Sequence, residues 1–194
     1  MAFDFTAAMH ALMSDIAATC DELRHVDMSR VAVAFSQAKN RRTQGTHART
    51  RALRFRGGAQ TVEVRGRRFV MPRVVVNGQE VLYAISYSLP RFLDLPFEEK
   101  LRVVVHEMYH IGPRFDGDLR RFAGGKPYHT GSKRNYDAAM SRIAQAYLAK
   151  TTRPELHAFL KGSFRELVEA HGAVVGVRLR GLRPRGVQSR WSFS

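Results

Sequence analysis

An apolar segment with strong helix signals carries two histidines four residues apart near its end. The segment starts around Asp94-Leu95-Pro96-Phe97, where an aspartate cap, a proline in the first turn and the acidic residues that follow are typical of a helix start. It stops at Gly112-Pro113. Between these ends apolar residues occupy most sides, which predicts a largely buried helix. His106 and His110 therefore lie in its last turns, beside a loop.

The two histidines belong to the pentad His-Glu-Met-Tyr-His. Residues four apart share one helix face, so His106 and His110 can bind one ion while Glu107 reaches a water on that ion. This is the arrangement of zinc proteases, in which the glutamate is the general base. The alternative is a helix with two buried histidines and a paired glutamate. A charged glutamate on a mostly buried helix needs a strong partner, which favours the metal site.

A catalytic zinc usually has three protein ligands, so a third ligand is expected beyond the pentad. His129 follows His110 by nineteen residues, Asp116 by six and Asp118 by eight. The six-residue spacing normally needs a glycine three residues after the second histidine, where this chain has Pro113, and neutral imidazole suits zinc well. We predict His129 as the third ligand, with Asp116 as the alternative. Otherwise Asp116 and Asp118 form an acidic turn that pairs with nearby arginines.

Three stretches around the pentad resemble the metallopeptidases of phages and archaea, which are zincin-like proteins distantly similar to SprT-type proteases. These stretches are Leu95-Pro96-Phe97-Glu98-Glu99-Lys100, Val103-Val104-Val105-His106-Glu107-Met108-Tyr109-His110-Ile111 and Phe115-Asp116-Gly117-Asp118-Leu119-Arg120. The resemblance covers about residues 50–140 and implies a zinc-dependent peptidase with a zincin-like fold. In that family a histidine follows the last stretch almost at once. Here residues 121–128 intervene, so the third-ligand role passes to His129 across an apparent insertion.

We expect an α+β fold of zincin type, with a small, mostly antiparallel sheet packed on helices that include the pentad helix. Residues 1–177 are predicted to form one domain, with its core at about 26–150, and residues 178–194 a basic, flexible tail. The apolar patterns and turn residues predict helices at 3–25, 135–150 and 154–171, strands at 31–35, 81–87 and 173–177, a loop at 36–51, and antiparallel pairing within 52–87 with a turn at Asn77-Gly78.

The charge is strongly positive and is dominated by arginine. The net charge is +15, and 26 Arg stand against 6 Lys. The arginines cluster at 41–73 and at 178–190. Guanidinium groups bind phosphate oxygens well, so non-specific nucleic acid is a partner to test beside a protein or peptide substrate. The alternative is that arginine use reflects genome composition. No zinc finger or helix-turn-helix pattern indicates sequence-specific recognition.

The absence of long apolar runs and the single cysteine limit the location and the metal chemistry of the protein. No apolar run approaches the 18 residues of a membrane span, and an acid near the N-terminus stands where a signal peptide needs basic residues, so we predict a cytoplasmic protein with no membrane partner. The single Cys20 excludes an internal disulfide and a Cys-rich zinc site.

Three functions remain open at this stage. The first is a cytoplasmic or phage-borne zinc peptidase, in which His106, His110 and His129 hold zinc and Glu107 takes a proton from the attacking water. The second is a nucleic-acid-associated, SprT-like protease that acts on DNA-bound proteins. The third is a non-catalytic, basic nucleic-acid-binding protein with a structural zinc. The intact Glu107 argues against the third, because a structural site does not need this carboxylate.

Overall fold

The computed structural model describes residues 1–38, 45–76, 78–122 and 133–187, and they form an α+β fold. The predicted α+β class is therefore confirmed. The helices are α1 (Phe5–Thr19), α2 (Phe97–Tyr109), α3 (Lys133–Lys150) and α4 (Phe164–His171), with a 3₁₀ helix at Pro154–Lys161 and shorter 3₁₀ turns at Asp21–Leu23, Met28–Arg30 and Arg56–Gly58. The strands are β1 (Phe3–Asp4), β2 (Val31–Gln37), β3 (Ala48–Ala52), β4 (Thr61–Val64), β5 (Arg67–Val70), β6 (Val74–Val76), β7 (Gln79–Val81), β8 (Tyr83–Leu89), β9 (Val174–Val175) and β10 (Arg185–Val187).

The central sheet has the order β2-β8-β3, with β8 parallel to β2 and antiparallel to β3. It is therefore mixed, whereas a mostly antiparallel sheet was predicted. The long connection between β2 and β8 allows them to run in the same direction, which a short hairpin would forbid. The middle strand β8 is buried along most of its length, as expected for a strand covered on both faces.

The loop predicted at 36–51 is partly wrong, because Ala48–Ala52 form strand β3 at the edge of this sheet. Its central residues Arg49, Thr50 and Arg51 are polar, so the strand lacks the apolar alternation that marks a strand in sequence. Charged side chains are nevertheless common on edge strands, where they discourage pairing with other chains.

Helices α1 and α2 pack their apolar faces into the core against the sheet. Asp4 caps α1 by accepting a hydrogen bond from the backbone N–H of Ala7 at 2.9 Å. Helix α2 buries its apolar residues Leu101, Val104, Val105 and Met108 completely. Its N-cap residue is Pro96, so the predicted cap Asp94 is wrong; the Asp94 carboxylate accepts instead from the N–H of Phe164 at 3.2 Å.

The helix predicted at 154–171 is two elements, a 3₁₀ helix followed by α4. The break falls at Gly162-Ser163, where Ser163 and Glu166 form a capping box that starts a new helix. Lys100 of α2 is buried and donates hydrogen bonds from Nζ to the carbonyls of Leu160 (2.8 Å) and Gly162 (2.6 Å). Helix α2 is thereby tied to the end of the 3₁₀ helix.

The segment after residue 177 runs across the outer face of the central sheet. The N–H of Phe35 donates to the carbonyl of Val177 at 2.9 Å, and the Arg178 guanidinium lies 5.0 Å from the Phe35 ring centroid. Strand β10 then pairs antiparallel with β5, which also pairs with β4. Part of the segment predicted as a flexible tail is thus a strand, while residues 188–194 lie outside the described part of the chain.

Candidate metal centre

The two histidines of the pentad converge at the end of α2. Their Nε2 atoms are 3.1 Å apart and their ring centroids 4.8 Å apart. Two nitrogens that bind one tetrahedral zinc at about 2.0–2.1 Å lie roughly 3.3–3.4 Å from each other. The pair His106 and His110 therefore needs only a small adjustment to bind one ion. Helical spacing accounts for this arrangement, because residues four apart stack on one face.

Glu107 is buried beside this pair and is held by a strand residue. Its Oε2 lies 2.7 Å from the hydroxyl of Thr50 on β3, and its exposed fraction is 7%. Burial raises the pKa of the Glu107 carboxyl above its usual range, while the hydrogen bonds of Thr50 and the charge of Arg49 oppose the shift. The carboxyl is therefore closer to the pKa that suits a general base near neutral pH.

The predicted third ligand His129 lies outside the described residues. The alternative, Asp116, is turned elsewhere: its Oδ2 pairs with Arg114 Nε at 3.2 Å, and its Oδ1 accepts from the N–H of Asp118 at 3.1 Å. Among the residues described, no group of three or more His, Cys, Asp or Glu side chains is placed to hold a metal ion. The structure thus does not bring Asp116 together with His106 and His110.

Asp118 stabilises the loop that follows α2. Its carboxylate forms an ion pair with Arg121 at 2.8 Å and accepts from the N–H of Gly57 at 3.1 Å. Burial raises the pKa of this carboxyl, but the Arg121 guanidinium and the backbone donors outweigh burial and hold the pKa below its usual range. The hydroxyl of buried Tyr83 donates to the Asp118 carbonyl at 2.8 Å and accepts from the N–H of Gly117 at 2.9 Å. These contacts agree with the acidic-turn interpretation of Asp116 and Asp118.

The loop after α2 folds back so that it returns to the histidines. Leu119 forms a bridge with Ile111, and the N–H of Arg120 donates to the carbonyl of His110 at 2.7 Å. The Arg120 guanidinium lies 3.9 Å from the Tyr109 ring centroid, and its Nε donates to the Tyr109 carbonyl at 2.7 Å. The positive charge of Arg120 also interacts favourably with the negative, C-terminal end of the helix dipole.

Tyr136 of α3 lies beside His106, and Phe122 lies beside Tyr136. The ring of Phe122 is 5.9 Å from the ring of Tyr136 in α3, and the Tyr136 ring is 5.2 Å from the His106 ring.

A cleft of 590 Å³ opens beside Glu107 and His110. Strand β3 forms one part of its lining, and the C-terminal segment forms another. The lining residues are Ala48, Arg49, Thr50, Arg51, Ala52, Met71, Glu107, His110, Leu119, Leu182, Arg183 and Pro184. Sequence reasoning missed Thr50 as a contact of Glu107, and the alternation of small and basic residues in Ala48–Ala52 was the available signal for an edge strand.

The edge of β3 presents backbone groups to this cleft. The odd-numbered residues of β3 and its flanks form the hydrogen bonds to β8 and its flanks. At the two ends of this pairing, Ser88 N–H donates to His47 O at 2.8 Å, and Leu53 N–H donates to Leu82 O at 2.9 Å. In an antiparallel pair the intervening residues point their N–H and C=O groups the other way. Thr50 and its neighbours two residues away therefore direct these groups toward the open edge.

The comparisons with known proteins find no relative. No protein-family model matches the chain, and no curated protein or solved structure matches it significantly. In the part of the chain that the structure describes, no helix has both the length and the apolar character needed to cross a membrane.

Proposed function

We propose that this chain is a zinc-dependent peptidase with a zincin-like fold and that Glu107 is its general base. The observation that carries the proposal is the convergence of the His106 and His110 Nε2 atoms, 3.1 Å apart, next to the buried Glu107, which lines a cleft together with His110. Two imidazoles are the donors that catalytic zinc prefers.

His106 and His110 would hold the ion, and His129 remains the predicted third ligand. Asp116 is the less suitable candidate, because its carboxylate pairs with Arg114 instead. A zinc ion bound there supplies Lewis acidity, which polarises a peptide carbonyl and makes water more acidic.

The residues of the chain account for substrate placement and proton transfer. An extended peptide can add to the open edge of β3 through the backbone groups around Thr50. Glu107 takes a proton from the attacking water and passes it to the leaving nitrogen, a role that its raised pKa favours. Thr50 fixes the carboxylate in place through the 2.7 Å contact with Oε2.

Metal analysis combined with a peptidase assay tests this function. We expect about one zinc per chain by mass spectrometry, lost in a His106→Ala/His110→Ala double variant and retained in His171→Ala, which removes an exposed imidazole from α4. Glu107→Gln is expected to keep zinc and lose hydrolysis. A protein that takes up no zinc when it is offered, or a Glu107→Gln variant that cleaves at the original rate, would refute the proposal.

A second candidate is a peptidase of this kind that works on nucleic acid and degrades DNA-bound proteins. The pairing of β10 with β5 favours it, because it places exposed Arg185 from the second arginine cluster on the same sheet face as exposed Arg68 from the first, with exposed Arg67 on the other face. Such a surface suits phosphate groups. The cytoplasmic location predicted from the sequence is compatible with both candidates. A non-catalytic protein with a structural zinc would leave the buried Glu107 unexplained.

Salt-dependent DNA binding distinguishes the two peptidase candidates. For the second, affinity for a DNA duplex is expected to fall steeply between low and physiological salt. Replacing Arg67, Arg68 and Arg185 with Gln should weaken binding and flatten this salt dependence while the zinc content stays the same. The control replaces Arg142, Arg153 and Arg165, which are exposed on other elements and remove the same charge. Equal binding by the two triple variants would contradict the assignment of this surface.

A further inference from the structure

The cleft beside Glu107 and His110 has basic walls. Arg49 and Arg51 line it from β3, and Arg183 lines it from the C-terminal segment. Glu107 is the single acidic residue among the lining residues of the described chain. The site that would bind substrate therefore carries a local excess of positive charge next to the reacting groups.

None of these three guanidinium groups is held in an ion pair by an acid of the described residues, although the charge of Arg49 acts on Glu107. Within the described ranges, no acidic side chain forms an ion pair with Arg49, Arg51 or Arg183. Arginines just outside the cleft behave differently, since Arg54 binds Glu80 at 2.6 Å and Arg121 binds Asp118 at 2.8 Å. The charges in the cleft are thus available to a ligand.

The position of the two strand arginines matches an extended peptide. Arg49 and Arg51 are two residues apart, so they lie on one face of β3 while Thr50 faces α2. A chain added to the open edge would bond to the backbone of Ala48 and Ala52 and to the carbonyl of Thr50, whose N–H already acts on the Glu107 carboxylate. Arg49 and Arg51 would then occupy the non-hydrogen-bonded pair positions, where facing side chains are closest.

Arg183 lines the cleft from a segment that is anchored to the sheets on both sides. The preceding chain is fixed by the bond from Phe35 N–H to Val177 O, and the following chain by the pairing of β10 with β5. Leu182 and Pro184 line the same cleft on either side of Arg183. The third positive charge in the cleft therefore comes from a second, anchored segment of the chain.

We propose that this cleft selects an extended polypeptide segment with acidic side chains two residues apart, which pair with Arg49 and Arg51 while Arg183 supplies a third positive charge in the same cleft. The inference rests on the proposed peptidase function and names its substrate class. The open strand edge favours a polypeptide over the phosphate backbone of a nucleic acid, because a nucleic acid has no groups that continue the β-ladder.

Binding is tested with two short fluorescent peptides. One carries Asp and Glu at alternate positions, and the other carries Asn and Gln at the same positions. Fluorescence anisotropy is measured with the zinc-loaded Glu107→Gln protein, so that cleavage does not interfere. We expect the acidic peptide to bind at least about tenfold more tightly than the neutral one, and we expect its affinity to fall with added salt. In that background, Arg49→Gln/Arg51→Gln should remove the preference and Arg183→Gln should reduce it. Arg142→Gln/Arg165→Gln, which removes the same charge from α3 and α4, should preserve it.

Equal binding of the two peptides overturns the inference. A second contradicting result would assign the cleft to nucleic acid. In that case a DNA oligonucleotide binds the Arg49→Gln/Arg51→Gln protein more weakly, while the two peptides bind equally. Cleavage sites mapped by mass spectrometry in a mixture of unfolded proteins separate this failure from that of the proposed function. Cleavage without Asp or Glu enrichment defeats the substrate preference and leaves the peptidase standing. If nothing is cleaved, the peptidase is refuted, and the anisotropy comparison still decides the charge preference.

Discussion

The hydroxyl oxygen of Thr50 lies 2.7 Å from Oε2 of Glu107 and 2.8 Å from the backbone carbonyl oxygen of the same residue. A hydroxyl has one hydrogen, so it donates to one of these oxygens at a time. When Glu107 is protonated, its carboxyl can donate to Thr50 while Thr50 donates to the carbonyl. Both protonation states of the proposed base thus have a hydrogen bond to the strand that borders the cleft.

Replacing Thr50 with Val keeps the shape of the side chain and removes the hydroxyl. Because Glu107 would lose its positioning contact, we expect kcat of the proposed peptidase to fall roughly tenfold to hundredfold, with the zinc content unchanged. The pH profile of kcat should also shift, since the side-chain hydrogen bond of Thr50, which valine cannot form, opposes the raised pKa of Glu107. Thr50→Ser should restore both properties. Normal turnover in Thr50→Val would contradict a positioning role.

Removing the hydroxyl of Tyr83 should loosen the loop that follows the pentad helix. Tyr83→Phe leaves the N–H of Gly117 and the carbonyl of Asp118 without this buried partner, which costs about 1–3 kcal/mol. Urea unfolding measures the loss. Tyr87→Phe is the matched control, because Tyr87 is equally buried and its hydroxyl contacts the weak acceptor Met13 Sδ at 3.5 Å. A similar loss in both variants would contradict the importance of this bridge.

The sequence predicted those parts of the site that local periodicity encodes. His106, Glu107 and His110 share one helix, so their spacing alone predicts that the imidazoles meet, as the 3.1 Å distance confirms. Thr50 and Arg183 reach the cleft through pairing with distant strands. Neither the register of β3 on β8 nor that of β10 on β5 can be derived from a local pattern, because each depends on partners far along the chain.

The stability contributed by Glu80 is expected to depend on pH. Its carboxylate accepts from Arg54 Nη2 at 2.6 Å and from Arg73 Nε at 2.9 Å, and these hydrogen bonds hold its pKa below the usual value of 4.5. The folded state therefore favours the charged form. This contribution is complete above the unfolded pKa and disappears as the pH falls through the lower folded pKa.

Glu80→Gln should accordingly lower the free energy of unfolding by about 1 kcal/mol near neutral pH, with a much smaller effect at about pH 3. Urea unfolding at the two pH values measures the difference. Glu63→Gln is the control, since Glu63 is exposed on β4 and forms no ion pair within the described ranges. A loss of the same size at both pH values would show that Glu80 stabilises the fold by packing and not by charge.

Lys100 is expected to stabilise the junction between α2 and the 3₁₀ helix. Its ammonium group is buried, which lowers its pKa, and it donates to the carbonyls of Leu160 and Gly162. Lys100→Met preserves the length of the side chain but leaves both carbonyls without this donor, so we expect a loss of about 2 kcal/mol in urea unfolding. Zinc binding should be unchanged, because Lys100 lies at the opposite end of α2 from the histidines. Lys161→Met, at an exposed position, should cost little, and an equal loss there would refute this role for Lys100.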